Sequence, residues 1–302
     1  MGDKVLKLKN IRKTYQDLVA VDNLSFEVKD GEIFGLLGEN GAGKTTTFRM
    51  IMGLLEPDNG SILLDGQKID YSITDKIGFV TEERSLLTKL TVKEQVLYYG
   101  ALKGMSNNEI IKELDYWLDK FEIKEYENKK IKELSKGNQQ KIQFISAVIN
   151  QPKLLILDEP FTGLDPINVK MLKDAVYELK EKGTSIIFSS HQMEYIEEFC
   201  EKLVILVKGK TILEGYLEDI KNSYGIRKIL LNVLDYDIEK LSKIKGVNSI
   251  NKKYDYYEIN IDNESTVDLI FKEIKKYKVL KFDAVKPTLN DIFIEKVGAF
   301  HE

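Results

Sequence analysis

The stretch Gly38-Glu39-Asn40-Gly41-Ala42-Gly43-Lys44-Thr45 decides the fold class of this 302-residue chain. It fits the pattern G-x-x-x-x-G-K-[ST], follows the β-rich run 32–37 and precedes the helix-compatible run 44–52. Glycines let consecutive backbone NH groups curl around a phosphate, and the start of the next helix attracts the same anion. This order of strand, loop and helix favours nucleotide binding over the alternative, a Gly-rich turn followed by a solvated lysine.

The loop residues have separate predicted roles. Lys44 is expected to reach the β- and γ-phosphates as a catalytic group, and the Thr45 hydroxyl is expected to ligate Mg²⁺. The other nucleotide contacts are assigned to Gly38, Asn40, Gly41, Gly43 and Thr46.

A second motif supplies carboxylates. The apolar run Leu154-Leu155-Ile156-Leu157 ends in Asp158 and Glu159, at what we expect to be the carboxyl edge of a parallel sheet, where such sheets bind ligands. Asp158 is predicted to hold Mg²⁺, and Glu159 to polarise the attacking water as general base. An acidic pair after a strand can also be a turn or a helix cap. The phosphate loop in the same chain favours the catalytic interpretation.

Hydrophobic patterning predicts an α/β class with two domains. Strand runs at 5–8, 19–28, 61–64 and 76–80 surround the loop, a helical stretch covers 92–150, and strands return at 154–157, 185–189 and 202–207 around a helix at 169–182. We therefore expect a domain over 1–222 with a helical subdomain at about 83–149. The tail, 223–302, is predicted to form a small ferredoxin-like α+β domain. Its predicted strands are 227–233, 247–252, 255–262 and 278–286, and its helices 236–244 and 265–276, followed by a last short helix.

Composition excludes several classes of protein. The 45 Lys and Arg nearly balance 49 Asp and Glu, so no strong global field recruits nucleic acid, and we expect no nucleic-acid partner. One cysteine and two histidines cannot build a disulfide framework or a Cys/His zinc site, which fits a cytosolic protein. Apolar runs such as Leu203 to Val207 are far shorter than the ~20 residues of a membrane span.

The segment Leu134-Ser135-Lys136-Gly137-Asn138-Gln139-Gln140-Lys141 resembles the signature motif of ATP-binding cassette (ABC) ATPases. The resemblance implies ATP as the nucleotide and a dimer in which each ATP lies between one chain's phosphate loop and the partner's signature segment. Ser135 would cap a helix whose N-terminus, with the NH of Gly137, points at the γ-phosphate. In isolation the octamer could be an ordinary serine-capped helix.

Further matches follow in the family's order. Tyr15 resembles the aromatic residue that stacks on adenine, although a tyrosine packed in the core is an equal alternative. Thr162-Gly163-Leu164-Asp165 resembles the D-loop, with Asp165 at the dimer contact. His191 resembles the switch histidine that contacts the γ-phosphate and orients water.

One departure concerns the Q-loop, where Glu82 stands in place of the family's glutamine. Glu82 can offer an oxygen to Mg²⁺ or to water, but it adds negative charge beside a triphosphate. The sequences Thr81-Glu82-Glu83-Arg84 and Ser135-Lys136-Gly137 resemble the subgroup that serves ABC-2-type exporters, including sodium-efflux and drug or peptide exporters. The C-terminal domain is similar to the accessory domain of that subgroup and ends in Pro287-Thr288-Leu289-Asn290-Asp291-Ile292-Phe293-Ile294.

The resemblance implies an ATP-hydrolysing subunit of an exporter. Two copies, or one copy and a paralogue, would dimerise head to tail on a separate membrane permease, at the cytoplasmic face of the membrane. The alternative is a soluble ABC ATPase acting on nucleic acid or the ribosome. Relatives that act on DNA insert long coiled coils between the phosphate loop and the signature, and ribosome-acting relatives carry two cassettes; neither feature is present here.

Overall fold

The computed structural model describes residues 4–83 and 85–301. These residues form two units, one up to Glu214 and one from Gly215 onward. The boundary that the sequence suggested, after residue 222, falls inside a helix of the second unit.

The first unit contains the phosphate loop and most of the chain. Its strands are β1 (Lys4–Tyr15), β2 (Leu18–Lys29), β3 (Ile33–Gly38), β4 (Asn59–Leu64), β5 (Gln67–Lys68), β6 (Ile77–Val80), β7 (Leu154–Asp158), β8 (Ser185–Ser189), β9 (Lys202–Val207) and β10 (Lys210–Tyr216). Its helices are α1 (Lys44–Ile51), α2 (Val92–Leu102), α3 (Asn107–Lys120), α4 (Lys136–Val148), α5 (Pro166–Glu181) and α6 (Met193–Phe199).

A six-stranded sheet carries the functional residues. Its order is β10-β9-β3-β8-β7-β6, and the neighbours from β9 to β6 run parallel. Strands β7 and β8 are buried along their whole length. Both faces of a parallel sheet are covered by other elements, so its strands are continuous apolar runs. The ends of β3, β8, β7 and β6 therefore lie side by side, and the segments that follow them meet at one edge.

A second sheet, of order β2-β1-β4-β5, is antiparallel and packs its apolar residues into the same core as β3 and α1. Phe26 of β2 stacks on Phe34 of β3 with ring centroids 4.7 Å apart, which joins the two sheets. This packing brings the end of β1 and the start of β2 close to the phosphate loop.

The predicted helical stretch is present as α2, α3 and α4. Thr91 with Glu94, and Ser106 with Glu109, form capping boxes that fix the starts of α2 and α3. Helix α5 begins at Pro166, three residues earlier than patterning indicated, because proline fits the first helical turn and Asp165 caps it.

The second unit has the strand order expected of a ferredoxin-like domain. Strands β11 (Lys228–Leu234), β12 (Val247–Lys252), β13 (Tyr257–Ile261) and β14 (Lys278–Val285) pair antiparallel in the order β12-β13-β11-β14. Its helices are α7 (Leu217–Tyr224), α8 (Ser265–Ile274) and α9 (Leu289–His301). The helix expected at 236–244 is instead a 3₁₀ turn, Ile238–Lys243, since this short segment buries only Leu241.

Within residues 4–83 and 85–301, no helix combines the length and the apolar character needed to cross a membrane.

Candidate active site

The phosphate loop joins β3 to α1 and depends on glycine at both ends. Gly38 and Gly43 have φ angles of +153° and +108°, which L side chains rarely adopt. A Cβ at Gly43 would also lie 2.5 Å from the carbonyl oxygen of Ala20. Gly43 is the N-cap of α1 and has no side chain to cap it, so the first NH groups of the helix are left for an anion.

Lys44 is folded back on its own loop. Its Nζ donates hydrogen bonds to the carbonyl oxygens of Gly38, at 2.6 Å, and Glu39, at 3.2 Å. Burial lowers the pKa of Lys44, while the negative charges of Asp158, Glu159 and Glu82 oppose that shift. These three carboxylates therefore act on one ammonium group, which also donates to two backbone carbonyl oxygens of its own loop.

Asp158, at the end of β7, is 7% exposed and is oriented by the neighbouring strand. The Ser189 hydroxyl donates a hydrogen bond of 2.6 Å to its Oδ1, because the β7–β8 register sets Asp158 opposite Ser189. Burial raises the pKa of Asp158, against the Ser189 hydrogen bond and the charge of Lys44. No sequence motif indicates this role for Ser189, because the role depends on a register between strands far apart in the chain.

Glu159 follows Asp158 with a φ of +50°, and it is 8% exposed. Its Oε2 lies 2.8 Å from Nδ1 of His191 and accepts longer hydrogen bonds from the hydroxyls of Ser190, at 3.3 Å, and Thr162, at 3.4 Å. Burial raises the pKa of Glu159, and the adjacent His191 opposes this shift. The carboxylate is thus held at the sheet edge by the segment after β8 and by the D-loop.

One cleft of about 990 Å³ gathers most of the predicted site residues. Tyr15, Glu82, Asp158, Glu159 and His191 line it together with the phosphate loop. Of the loop residues named from the sequence, the lining includes Gly38, Asn40, Gly41, Gly43, Lys44, Thr45 and Thr46. Tyr15 is 42% exposed at the end of β1, so the alternative of a core-packed tyrosine is wrong.

Three predicted residues lie outside this cleft: Ser135, Gly137 and Asp165. Ser135 caps α4, its hydroxyl accepting a hydrogen bond of 3.3 Å from the NH of Asn138, and Gly137 lies in the first turn of that helix. Asp165 caps α5 through the NH groups of Ile167 and Asn168, each at 3.0 Å. This chain's own cleft is therefore bounded without the signature segment.

The cleft is also lined by residues to which the motifs assigned no role. These are Leu18, Val19, Ala20, Glu39 and Lys208. Lys208 directly follows the buried strand β9, the parallel neighbour of β3, so its place at the end of an apolar run was an available signal. The start of β2 carried no such signal, since its position depends on the packing of one sheet on another.

Two family models match separate parts of the chain. Residues 21–162 match the family model described as ABC transporter, and residues 215–297 match the model for the C-terminal domain of the DrrA1-3-like ATP-binding proteins. A Bacillus subtilis protein described as an uncharacterized ABC transporter ATP-binding protein, YhaQ, is 50% identical and covers 99% of this chain and 100% of its own length.

Two further relatives have names that refer to transport or export. The ABC transporter ATP-binding protein NatA of Bacillus subtilis is 34% identical over 72% of this chain and 92% of its own. The Nod factor export ATP-binding protein I of Cupriavidus metallidurans is 35% identical over 72% of this chain and 73% of its own.

Solved structures resemble about 70% of the chain. CbiO1 of Clostridium perfringens, part of the ABC transporter complex CbiONQ, aligns with a TM-score of 0.65 and 29% identity over 72% of this chain and 90% of its own. A dimeric ATP-binding cassette in a post-hydrolysis state with ADP and Pi aligns with a TM-score of 0.64 and 28% identity. The alignment covers 70% of this chain and 98% of the cassette. With relatives of this identity and coverage, the chain belongs to the ATP-binding proteins of ABC transporters, a family of ATPases.

Proposed function

We propose that this chain hydrolyses ATP in the 990 Å³ cleft and thereby powers export through a separate membrane permease. The observation that carries the catalytic part is the pairing of Glu159 with His191 beside Lys44 and Asp158. A buried carboxylate with a raised pKa is a better proton acceptor than an exposed one, and the histidine fixes its orientation. Glu159 is thus suited to take a proton from a water molecule that attacks the γ-phosphate.

Each loop residue would act on the triphosphate by position and charge. The NH groups at the start of α1 and the ammonium of Lys44 bind phosphate oxygens, after Lys44 exchanges the carbonyls of Gly38 and Glu39 for the stronger phosphate contacts. Tyr15, exposed at the cleft margin, offers its ring to the adenine base. These contacts hold the nucleotide with its γ-phosphate directed toward Glu159 and His191.

The cleft also fits Mg²⁺. Thr45, Asp158 and Glu82 line it with hydroxyl and carboxylate oxygens, the donors that this cation prefers. In the described ranges, 4–83 and 85–301, no three His, Cys, Asp or Glu residues cluster tightly enough to hold a metal. The three oxygens suit a cation that completes its shell with phosphate and water. When bound, Mg²⁺ would neutralise charge on the phosphates.

The second copy of the chain, or a paralogue, would complete the site. Ser135, Gly137 and Asp165 lie outside the chain's own cleft, at the starts of α4 and α5. A helix N-terminus favours anions, so the start of α4 can bind the γ-phosphate held by a partner. The dimeric form of the cassette with ADP and Pi supports this arrangement.

The permease would dock in an apolar groove of about 290 Å³ between β6, α2 and α4. Its walls include Leu54, which is 67% exposed, and Phe79 and Tyr99. Exposed apolar walls of this kind suit a segment of another protein. The association of CbiO1 with an ABC transporter complex supports a permease as that protein, with the ATPase on its cytoplasmic face.

The groove and the cleft share one short segment. Thr81 lines the groove, and its carbonyl and hydroxyl oxygens accept hydrogen bonds of 3.1 and 2.8 Å from Nε2 of Gln143 on α4. The next residue, Glu82, lines the cleft. Movement of a partner segment bound in the groove would displace Thr81 and thereby shift Glu82, the next residue in the chain.

The catalytic part is tested with Glu159→Gln, which keeps the shape of the side chain and removes the base. We expect ATP binding to persist, hydrolysis to fall by about 10²-fold or more, and an ATP-bound dimer to accumulate. Turnover of the purified variant at the rate of the unmodified chain would refute the general-base role.

The docking part is tested with Leu54→Arg, compared with Ile294→Arg at a similarly exposed apolar position of the second unit. We expect Leu54→Arg to lower the amount of chain recovered with native membranes and to leave the ATPase rate of the purified chain unchanged. Equal recovery of both variants would contradict docking in this groove.

A further inference from the structure

The first turn of α4 lies so close to α5 that a side chain at position 137 would meet Asn168. A Cβ built on Gly137 would lie 2.6 Å from Nδ2 of Asn168 and 3.1 Å from its Cγ. Real Cβ atoms do not approach this closely. The Asn168 side chain therefore acts as a spacer against the backbone of the signature segment.

The same side chain is fixed from its other side by Asp165. The backbone NH of Asn168 donates a 3.0 Å hydrogen bond to Oδ1 of Asp165, and its Nδ2 donates to Oδ2 of the same carboxylate. These hydrogen bonds lower the pKa of Asp165, so the carboxylate stays charged. Asn168 thus contacts the D-loop carboxylate and the signature glycine at once.

The negative charge of Asp165 also acts on a second residue of α4. Lys141 lies one turn after Gly137, is buried, and donates a 3.2 Å hydrogen bond to the carbonyl oxygen of Phe121. Burial lowers its pKa, and the negative charge of Asp165 is the largest effect opposing that shift. The face of α4 formed by Gly137 and Lys141 is therefore directed toward the start of α5.

We propose that Asn168 is a positioning residue that sets the spacing between the signature segment and the D-loop within one chain. The inference rests on the proposed function, in which both segments face the nucleotide of a second copy. Two helix starts that must meet one ligand together need a fixed separation, and Asn168 supplies it by contact with Gly137 and by hydrogen bonds to Asp165. Asn168 does not line the chain's own cleft, which is formed by other residues.

Two substitutions distinguish the shape of the Asn168 side chain from its hydrogen bond to Asp165. Asn168→Ala removes both the spacer and the donor, whereas Asn168→Asp keeps the shape but sets a carboxylate against that of Asp165. Both are expected to weaken ATP-dependent dimerisation by about tenfold or more, the effect of losing one hydrogen bond to a charged group. Lys170→Ala, at an exposed position of the same helix, is the matched control.

The experiment uses the full chain carrying Glu159→Gln, so that bound ATP is not consumed. The dimer dissociation constant is measured with ATP by sedimentation, and ATP affinity is measured on dilute monomer. We expect the two Asn168 variants to lose dimer affinity and to bind ATP in the monomer as the parent does, because the cleft is separate. A merely structural role would lower both quantities.

A steric test gives an independent readout. In the parent, Gly137→Ala pushes a methyl group against Asn168; in the Asn168→Ala background that contact is gone. We therefore expect the two substitutions to be non-additive, with the double variant dimerising at least as well as Gly137→Ala alone.

The outcomes are distinguishable. Dimer constants of both Asn168 variants equal to that of Lys170→Ala would overturn the inference and leave the proposed function intact. Additive losses in the Gly137 and Asn168 pair, or an equal loss of monomer ATP binding, would also overturn it. Failure of the Glu159→Gln parent itself to dimerise with ATP would refute the proposed dimer and this inference with it.

Discussion

Nδ1 of His191 lies 2.8 Å from Oε2 of Glu159, although the two residues follow different strands of the sheet. Strands β7 and β8 are parallel neighbours, so residues just beyond their ends come together. The contact joins a proposed base to the one histidine near the cleft among the described residues. It also gives Glu159 a charge partner that counteracts part of the effect of burial on its pKa.

His191→Ala should change the pH dependence of hydrolysis as well as its rate. Burial already raises the pKa of Glu159, and His191 opposes that rise. Without the histidine the pKa rises further, so the base becomes protonated, and activity is lost, at a higher pH than in the parent. The acid limb of the kcat profile should therefore move to higher pH, with a rate lowered by about 10²-fold. An unmoved acid limb would contradict the coupling.

Glu82→Gln should change the response to Mg²⁺. The charge of Glu82 acts on both Lys44 and Asp158, and its removal lowers repulsion of the triphosphate. We expect ATP to bind more tightly without metal, by up to about tenfold, and half-saturation of hydrolysis to need more Mg²⁺ because one oxygen donor is lost. Glu83→Gln, at the next exposed position, is the control. Unchanged ATP affinity and Mg²⁺ dependence would show that Glu82 does not act at the site.

Ser189→Ala should lower kcat with a smaller effect on the KM for ATP. The lost 2.6 Å hydrogen bond frees the Asp158 carboxylate to rotate and removes a contact that lowers its pKa. We expect kcat to fall by about tenfold and the Mg²⁺ requirement to rise. Ser189→Thr, which keeps the hydroxyl, should retain most of the activity. Equal rates for the alanine and threonine variants would argue against orientation of Asp158 by Ser189.

Glu178→Gln should destabilise the first unit in a pH-dependent way. Burial alone would raise the pKa of Glu178, but hydrogen bonds from Lys120, Lys182 and Tyr116 lower it to about 2. These bonds tie α3 to the end of α5. The depressed pKa means that Glu178 stabilises the fold above its ordinary value of 4.5 and loses this effect as the pH falls toward 2.

Urea unfolding of the Glu178→Gln variant is the measurement. At pH 7 we expect a loss of about 1–2 kcal/mol in the free energy of unfolding, since the group is partly exposed. The difference from the parent should shrink as the pH is lowered below about 4.5. The exposed Glu181→Gln on the same helix is the control. A difference that stays constant with pH would exclude an ionic origin.

The sequence by itself determined which segments contain the proposed nucleotide-binding and catalytic residues. The phosphate loop between β3 and α1, and Asp158 and Glu159 after β7, are contiguous patterns whose position at one sheet edge follows from parallel pairing. The four strands of the second unit were predicted from the hydrophobic patterning of short segments, which is also local information. The assignment of α5 began too late because the pattern of apolar residues does not record a proline-started, Asp165-capped first turn.

Only the tertiary structure decided which distant side chains touch. Ser189 meets Asp158 through strand register, Tyr15 reaches the cleft because one sheet packs on the other, and Asn168 presses on Gly137 because two helices start side by side. No local pattern encodes these distances, since each depends on how separate elements pack. The residues of the candidate site could therefore be predicted from the sequence. The contacts that orient their side chains depend on tertiary packing.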